Sequence, residues 1–504
     1  MTNLVEAFDL AGRAGRPVLI PFAGGVGQTA VTCGDLRALA ARFAGVLDEL
    51  GLVPGDRVVV RVEKTVANLA LYLATLQRGA VFVPLNTAYR PQEVEYFLRD
   101  TSARLVVCDP ADAEVIRPVA DETGARVLTL DAFGEGSLTR AAGNPQPAIV
   151  ARDDDDIAAI LYTSGTTGKP KGAMLSHGNL RSNAMALRDL WQVTGDDVML
   201  HALPVFHAHG LFVGCNVMLL AGAQMLFLPK FDLSLVLDLL PRATVMMGIP
   251  TFYTRLLADP RLDREKVRGM RLFTCGSAPL LAETHREWSA RTGTAILERY
   301  GMTETGMNTS NPYEGERRPG SVGPALPGVS VRVTRPGSAE VLPPGEIGMI
   351  EVKGPNVFRG YWGLPEKTAA EFHPGGWFIT GDLGFIQEDG YVQIVGRGKD
   401  LVITGGFNVY PKEVETEIDA LEGVAESAVI GLPHADFGEA VTAVVVAQPG
   451  AAISEAAIQA ALRERLAAFK LPKKVIFLPE LPRNTMGKVQ KAQLREIYRG
   501  LYSA

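Results

Sequence analysis

The chain has 504 residues, of which 47% are hydrophobic and 21% are charged, and its formal net charge is -6 at pH 7. This length exceeds what one hydrophobic core holds, so we expect at least two domains. The negative balance argues against a nucleic-acid-binding protein that neutralises phosphates with a basic surface. Any anionic ligand must therefore be held by local chemistry.

The cysteines and the apolar stretches of the sequence indicate the cellular compartment of the protein. The four cysteines are scattered, without a CxxC pair, which is typical of reduced thiols in a protein core. The N-terminus lacks the pattern of a signal peptide, and the most apolar stretch, residues 210–229, is interrupted by Asn216 and Gln224. We therefore expect a cytoplasmic protein without a membrane segment.

Short β-branched runs alternate with amphipathic stretches through the first four hundred residues, as in RVVVRV (57–62), VANLALYLATLQRG (66–79) and AVFVPL (80–85). This alternation predicts an α/β domain with a mostly parallel sheet. From about Pro319 the pattern changes to short strands between Gly and Pro turns, which predicts a small antiparallel β subdomain.

A domain boundary fits best at GRGKDLVITGG (396–406), after which strand and helix patterns restart. We predict an N-terminal domain over residues 1–398 and a small α+β domain over 399–504. A tight turn is the plainer interpretation of the Gly-Arg-Gly sequence taken alone.

The loop after the apolar run ending at Tyr162 is rich in groups that bind phosphate. Its backbone N–H groups and hydroxyls can converge on phosphate oxygens, and its lysines add positive charge. It is not a Walker loop, because Pro170 stands where that motif places Ser or Thr. A flexible surface loop is the alternative. The candidate phosphate-binding residues are Thr163, Ser164, Gly165, Thr166, Thr167, Gly168 and Lys169.

Six motifs in order carry a resemblance to a known family. They are YTSGTTGKPKG (162–172), GSAPL (276–280), YGMTE (300–304), TGD (380–382), GRGKDLVITGGFNVYP (396–411) and PRNTMGKV (482–489). Together they resemble the adenylate-forming superfamily of acyl-CoA synthetases, luciferases and peptide-synthetase adenylation domains. Within it, the stretches PLNTAY, HALPVFHAHGLF, PTFYTRLL and RLFTCGSAPLLAETHREW are similar to those of malonyl-CoA synthetases.

The resemblance implies an ATP site with Mg²⁺ on Glu304, phosphate on Thr303 and adenine against Tyr300. It implies ribose binding by Asp382, assisted by Arg397, and a catalytic Lys488 that places its ammonium beside the α-phosphate and the acyl carboxylate. An exposed surface acid or lysine is the plainer interpretation of Glu304 and Lys488 by composition alone. The remaining residues assigned to the ATP site are Gly276, Ser277, Ala278, Glu298, Gly301 and Met302.

Further roles also follow from the resemblance. Lys399 matches the hinge about which the small domain turns, and Gly405 and Gly406 match the segment that lines the tunnel for the pantetheine arm of coenzyme A. His207 corresponds to an aromatic wall between the carboxylate and the thiol. A zinc site of His201, His207 and His209 is the alternative, although the sequence offers no evident fourth ligand.

A malonate substrate requires a cation for its second carboxylate, because burying that charge unpaired is costly. Arg286 in HREW is the predicted partner, with Arg242 and Arg255 as alternatives. An exposed helical ion pair with Glu283 or Glu287 is the plainer interpretation of Arg286. Ser277, Met302 and Met307 are expected to close the pocket around a short acid.

The sequence thus predicts a ligase that joins malonate, with methylmalonate as a possible second acid, to coenzyme A through an acyl adenylate, using ATP and Mg²⁺. A ligase for another short-chain or aromatic acid is the alternative, and a nucleotide-binding protein that has lost catalysis is a third interpretation. We expect no nucleic acid or membrane partner, and a monomer or weak homo-oligomer.

Overall fold

The computed structural model describes residues 3–146, 148–163 and 170–502. Within these ranges the α-helices are α1 Leu4–Ala7, α2 Cys33–Glu49, α3 Val66–Gln77, α4 Val94–Thr101, α5 Ala113–Thr123, α6 Ser137–Ala141, α7 His177–Leu190, α8 Asn216–Ala221, α9 Leu233–Leu239, α10 Pro250–Leu257, α11 Ala282–Thr292, α12 Pro365–Ala370, α13 Pro411–Asp419, α14 Glu455–Arg463 and α15 Lys491–Ile497. A π-helix covers His209–Cys215.

The strands described are β1 Pro17–Ala23, β2 Val26–Gly27, β3 Val31–Thr32, β4 Arg57–Arg61, β5 Val81–Pro84, β6 Leu105–Cys108, β7 Arg126–Thr129, β8 Ile157–Thr163, β9 Lys171–Ser176, β10 Val198–His201, β11 Gln224–Phe227, β12 Val245–Gly248, β13 Leu272–Cys275, β14 Ile296–Met302, β15 Gly306–Ser310, β16 Ser330–Thr334, β17 Gly348–Lys353, β18 Phe372–His373, β19 Trp377–Ile386, β20 Val392–Arg397, β21 Val402–Thr404, β22 Phe407–Val409, β23 Val424–His434, β24 Gly438–Ala447 and β25 Lys474–Phe477.

The backbone forms two compact units. Unit 1 comprises Met1–Ser330 and Lys353–Gly376, and unit 2 comprises Val331–Val352 and Trp377–Ala504. The antiparallel strands β17, β19 and β20 therefore group with the C-terminal part of the chain. The boundary predicted after residue 398 concerns a hinge between moving domains, and it stays a prediction.

Unit 1 contains two sheets. One has the strand order β15-β14-β13-β12-β10-β11-β1-β2, with β3 beside β1, and the other has the order β7-β6-β4-β5-β8-β9. Neighbours from β14 through β1 are parallel, as are those from β7 through β5, whereas β9 and β15 close their sheets antiparallel. Fully buried strands such as β6 and β13 have the continuous apolar sequences that parallel sheets require.

Helix starts in unit 1 follow from local sequence. Thr32 accepts a hydrogen bond from the backbone N–H of Asp35, and the Asp35 carboxylate accepts one from the backbone of Thr32, so α2 begins with a capping box. Ser176 and Asn179 form the same arrangement at α7. These caps place the following apolar faces against the sheets.

Unit 2 has an antiparallel sheet through β17, β19 and β20, and a second sheet ordered β22-β21-β24-β23 with β25 parallel to β24. The β23–β24 hairpin is covered on both faces. One core joins Val429 and Val441 to residues of α13 and α14, and the other joins Ile430 to Leu494 on α15. The predicted α/β fold, with an antiparallel subdomain and a small α+β domain, is confirmed.

Two further predictions can be compared with the structure. All four cysteines are free and buried, as the sequence predicts. In the described ranges, no helix is both long enough and apolar enough to span a lipid bilayer.

Candidate active site

The carboxyl ends of β13 and β14 bring several predicted residues of unit 1 together. Gly276 and Ser277 follow β13 directly, and Thr303 and Glu304 form the turn between β14 and β15. Ligands of α/β proteins bind at this edge of a parallel sheet. Ser277 has φ +70°, a left-handed conformation that is uncommon for residues other than glycine and clusters at functional sites.

Glu304 is buried, and the Tyr361 hydroxyl donates a hydrogen bond of 3.0 Å to its carboxylate. The Lys171 ammonium lies 4.4 Å from the centroid of the Tyr361 ring. A single carboxylate in this position suits Mg²⁺, which binds through one or two carboxylates together with the phosphates of a substrate. The described residues contain no cluster of three His, Cys, Asp or Glu side chains that would form a separate metal site.

The predicted phosphate loop connects β8 and β9. Thr163 ends β8 and pairs with Lys171 at the start of β9. Tyr96 donates a hydrogen bond of 2.7 Å to the carbonyl of Pro170. The remaining residues predicted for this loop, Ser164, Gly165, Thr166, Thr167, Gly168 and Lys169, lie outside the described residues.

Two histidines of the HALPVFHAHGLF stretch, the half-buried His207 and the buried His209, are neutral. Burial, followed by the charge of Arg299, lowers the pKa of His207 to about 4 and that of His209 well below its ordinary value. The backbone N–H of His209 donates to Nδ1 of His207 at 3.2 Å, and Nδ1 of His209 lies 3.2 Å from the Ser277 hydroxyl oxygen. Because Nε2 of His209 has no partner among the described residues, its side chain is not fully satisfied by the protein.

Arg299 on β14 is only 3% exposed, and its Nε and Nη2 have no hydrogen-bond partner within the described ranges. Burial lowers the pKa of the guanidinium to about 10, so the group is charged at neutral pH. Its neighbours Cys275 and Tyr253 are neutral, since burial raises the pKa of each well above its ordinary value. A buried cation without an anion is costly, so this position favours an anionic ligand.

The backbone at Gly276 is adapted to that guanidinium. A Cβ atom at Gly276 would collide with Nη1, Cζ and Nε of Arg299. Sequence reasoning missed Arg299. The available signal was a Glu-Arg pair inside ILERYGM, a strand that is otherwise apolar at its start and ends at the predicted site.

The three arginines predicted for substrate binding have different surroundings. Arg286 is exposed on α11, and Arg242 and Arg255 are exposed as well. The structure therefore does not bring them into the buried group around Arg299. Met307 is buried and pairs across β14 and β15 with Gly301, whereas Met302 is half-buried at the end of β14.

Further residues predicted for the ATP site lie on β14 and in the segment after β13. Tyr300 is buried, and Ala278 is half-buried. Glu298 is buried and accepts hydrogen bonds of 2.9 Å from the backbone N–H of Gly320 and from the His285 imidazole at Nδ1. Glu298 therefore fixes the 311–321 segment against β14.

In unit 2, Asp382 on β19 and Arg397 on β20 face each other in register. The Asp382 carboxylate is 2.7 Å from Nε of Arg397, and its backbone N–H donates to the Thr380 hydroxyl at 3.0 Å. Asp382 is only 3% exposed. The arrangement orients a carboxylate whose oxygens can accept hydrogen bonds from two neighbouring hydroxyl groups.

Lys488 lies within the electrostatic reach of the same pair. Burial and the charge of Arg397 lower the pKa of the ammonium to about 8, while Asp382 opposes this shift. The Asn484 carboxamide oxygen accepts hydrogen bonds from the backbone N–H groups of Met486 and Lys488. Hydrogen bonds within the PRNTMGKV motif therefore fix the turn that carries Lys488.

The predicted hinge and tunnel residues also lie in unit 2. Lys399 belongs to a short 3₁₀ turn, Gly398–Asp400, between β20 and β21. Asp400 pairs with Arg495 at 2.8 Å. Gly405 and Gly406 form the β21–β22 turn with φ +56° and +82°, conformations that only glycine adopts without strain.

Comparison with known proteins defines the class. Residues 9–362 match the model of the AMP-binding enzyme family, and residues 413–488 match that of the AMP-binding enzyme C-terminal domain. The chain belongs to the AMP-binding enzyme family, as the motifs predict.

Individual relatives are similar over nearly their whole length. The crystal structure of ATP-bound MatB from Rhodopseudomonas palustris is 59% identical, with a TM-score of 0.96 and 100% of both chains covered. A feruloyl-CoA synthase from Amycolatopsis sp is 39% identical over 93% of this chain and 94% of its own. The mitochondrial malonate–CoA ligase ACSF3 of Bos taurus is 36% identical over 89% of this chain and 82% of its own.

Proposed function

We propose that this protein is an ATP-dependent malonate–CoA ligase. One carboxylate of malonate attacks the α-phosphate of ATP, giving malonyl-AMP and pyrophosphate, and the thiol of coenzyme A then displaces AMP to give malonyl-CoA. The similarity to MatB and to malonate–CoA ligases supports this function. Neither step requires a covalent bond to the protein.

The observation that carries the choice of acid is the buried guanidinium of Arg299. Two of its nitrogens have no partner in the described parts of the chain, and the imidazoles and thiol around it are neutral. The second carboxylate of malonate supplies the missing anion and can accept two hydrogen bonds from one guanidinium. A neutral acid would leave this cation buried and unpaired.

Arg299 takes the role that the sequence suggested for Arg286. Arg286 is exposed, so water already solvates its charge and a carboxylate bound there would gain little. Its exposure alone would favour a neutral acid, but the buried cation at Arg299 restores the case for a dicarboxylate.

In adenylate formation the proposed role of Lys488 is to stabilise negative charge between the acyl carboxylate and the α-phosphate. Asp382 accepts hydrogen bonds from the ribose hydroxyls, and Thr303 contacts the phosphates. Glu304 would hold Mg²⁺ together with the phosphates, and the metal would supply positive charge to the pyrophosphate leaving group. His207 and His209 are neutral at physiological pH, so they act as a wall and as hydrogen-bonding groups rather than as proton donors.

For thioester formation we propose that the domain from residue 399 onward turns about Lys399. Gly405 and Gly406 then offer a backbone surface without side chains for the pantetheine arm. Exclusion of water protects the adenylate from hydrolysis between the two steps.

A second candidate is a ligase for an aromatic acid, because a feruloyl-CoA synthase shares 39% identity with the chain. Such an acid has no second carboxylate for Arg299. This candidate therefore predicts that acid preference does not depend on Arg299.

The test measures pyrophosphate release with malonate, methylmalonate, acetate, butyrate, benzoate and ferulate, each with ATP, Mg²⁺ and coenzyme A. We expect the wild type to prefer malonate, and Arg299→Met to lose about 10²- to 10³-fold in kcat/KM for malonate, since a buried carboxylate loses its partner. Arg286→Ala is the matched control. A preference for benzoate or ferulate that survives in Arg299→Met would overturn the malonate assignment.

We also propose that the protein acts in the cytoplasm as a monomer or weak homo-oligomer. The four free buried cysteines suit a reducing compartment.

A further inference from the structure

A second buried basic side chain, Lys64, has no role in the steps described above. It lies between β4 and α3, and it is 7% exposed. Its ammonium donates to the carbonyls of His201 at 2.8 Å and Leu203 at 3.0 Å, and it lies 2.7 Å from Nδ1 of His201. The centroid of the Phe227 ring also lies 4.3 Å from the ammonium.

The surroundings of Lys64 contain neutral acceptors rather than a carboxylate. Burial lowers the pKa of the Lys64 ammonium to about 7, and among the described residues only Cys215 opposes this shift, although burial raises the pKa of that thiol to about 12. An apolar side chain of similar length would avoid the desolvation of a cation here. The buried amine is thus better explained by the groups that it hydrogen-bonds than by core packing.

The hydrogen bonds of His201 have only one consistent direction. Nε2 lies 2.9 Å from the carbonyl oxygen of Gly210, which can only accept, so Nε2 carries the ring hydrogen. Nδ1 therefore accepts from Lys64. Burial and the charge of Lys64 lower the pKa of His201 well below its ordinary value, which keeps the ring neutral in this tautomer.

These hydrogen bonds connect the segments of the protein that carry His207 and His209. His201 ends β10, Leu203 belongs to the connection that leads to His207, and Gly210 lies in the π-helix that starts at His209. A Cβ atom at Gly214 would approach Nε2 of His201 to 2.9 Å, so the ring has little freedom to move. Irregular helices of this kind often occur at functional sites.

We propose that Lys64 is a positioning residue of the acid-binding pocket. Acting through the His201 ring, it fixes the wall formed by His207 and His209. The inference rests on the proposed ligase function, because the wall matters only for an acid that binds beside it.

The test uses steady-state kinetics of the full-length protein with Lys64→Met, which keeps the length of the side chain and removes the donors. We expect the KM for malonate to rise about tenfold or more, since hydrogen bonds to charged groups are lost, while the KM for ATP stays within about twofold. Thr75→Val is the matched control, because it removes a buried hydroxyl on the neighbouring helix α3. It should lower Tm without changing either KM.

Equal increases in both KM values, or a KM for malonate within about twofold of the wild type, would overturn the proposal. If Lys64→Met does not fold, His201 variants decide. His201→Gln keeps an acceptor for Lys64 and a donor for Gly210, and it should retain the wild-type KM for malonate. His201→Leu keeps neither and should raise it, so equal effects of the two variants would contradict the role.

A double variant tests whether Lys64 and His201 act through the same hydrogen bond or independently of each other. Lys64→Met with His201→Leu should raise the KM for malonate by less than the product of the two single-variant increases, because both remove the hydrogen bond between Lys64 and Nδ1 of His201. An increase equal to the full product would contradict action through His201. The series is repeated with benzoate. If the wild type uses benzoate instead of malonate, the malonate assignment fails, and the KM for benzoate then decides the role of Lys64.

Discussion

Arg299 in unit 1 and Lys488 in unit 2 are both cations whose burial lowers the pKa, but their surroundings differ. Two nitrogens of Arg299 find no partner in the described ranges, and its neighbours are neutral. Lys488 is half-buried among charges of both signs, Arg397, Asp382 and Lys399. The pKa of Lys488 is set by charged side chains of its own unit. The counter-charge of Arg299, by contrast, has to come from a bound ligand.

The strongest test of this contrast is Lys488→Ala. We expect malonate-dependent pyrophosphate release to fall about 10²- to 10³-fold, because a charge that stabilises the transition state is removed. Conversion of synthetic malonyl-AMP and coenzyme A to malonyl-CoA should be largely retained. Lys474→Ala is the control, since Lys474 pairs with Glu455 near the surface. An equal loss in both half-reactions would contradict the assignment to adenylate formation.

Gly276→Ala disturbs the other cation without changing any charge. Its Cβ atom would displace the Arg299 guanidinium, and overpacking of this kind costs about 1 to 3 kcal/mol. We expect the KM for malonate to rise about tenfold while the KM for ATP changes less. Gly269→Ala is the control, because its Cβ atom would lie 3.5 Å from the nearest atom. Unchanged malonate kinetics in Gly276→Ala would contradict binding of the acid by Arg299.

The two cations also predict different pH responses. The pKa of Lys488 is lowered to about 8, so its charge is present below that pH and is lost as the pH rises through it. The pKa of Arg299 is about 10, so it stays charged over this range. The rate of adenylate formation should fall about tenfold per pH unit above pH 8, while the KM for malonate stays nearly constant. A profile of Lys488→Ala that declines in the same way would contradict this origin.

The smallest effect is expected for Arg286→Ala. The residue is exposed on α11, where an ion pair contributes at most about 1 kcal/mol. The KM for malonate and Tm should change little, measured beside Arg299→Met. Loss of malonate preference in Arg286→Ala as large as in Arg299→Met would return the acid-binding role to Arg286.

The sequence predicts much of the fold and the nucleotide-binding motifs because both depend on local patterns. Continuous apolar strands separated by amphipathic helices predict the parallel sheets of unit 1. Asp382, Arg397 and Lys488 each lie in a short sequence motif, so their roles can be inferred from the motif without knowledge of distant contacts.

The proposed acid-binding residues are harder to predict from the sequence because they come from segments that are far apart along the chain. Arg299 on β14 lies close to Gly276, which follows β13. Its charge contributes to the lowered pKa of His207, which lies in the segment after β10. The neighbourhood of Arg286 along the chain favours it, but its side chain is exposed on α11. Burial, which separates the two arginines, follows from tertiary packing.

The backbone at residues 276 and 277 limits how acid selectivity can be redesigned. A side chain at Gly276 would collide with the Arg299 guanidinium, and Ser277 has a left-handed conformation that few residues adopt readily. Substitutions in this segment would therefore displace Arg299 or strain the backbone, and they would weaken acid binding before they alter its selectivity. Diversification at Met302 and Met307 would instead alter the pocket with a flexible side chain that tolerates replacement.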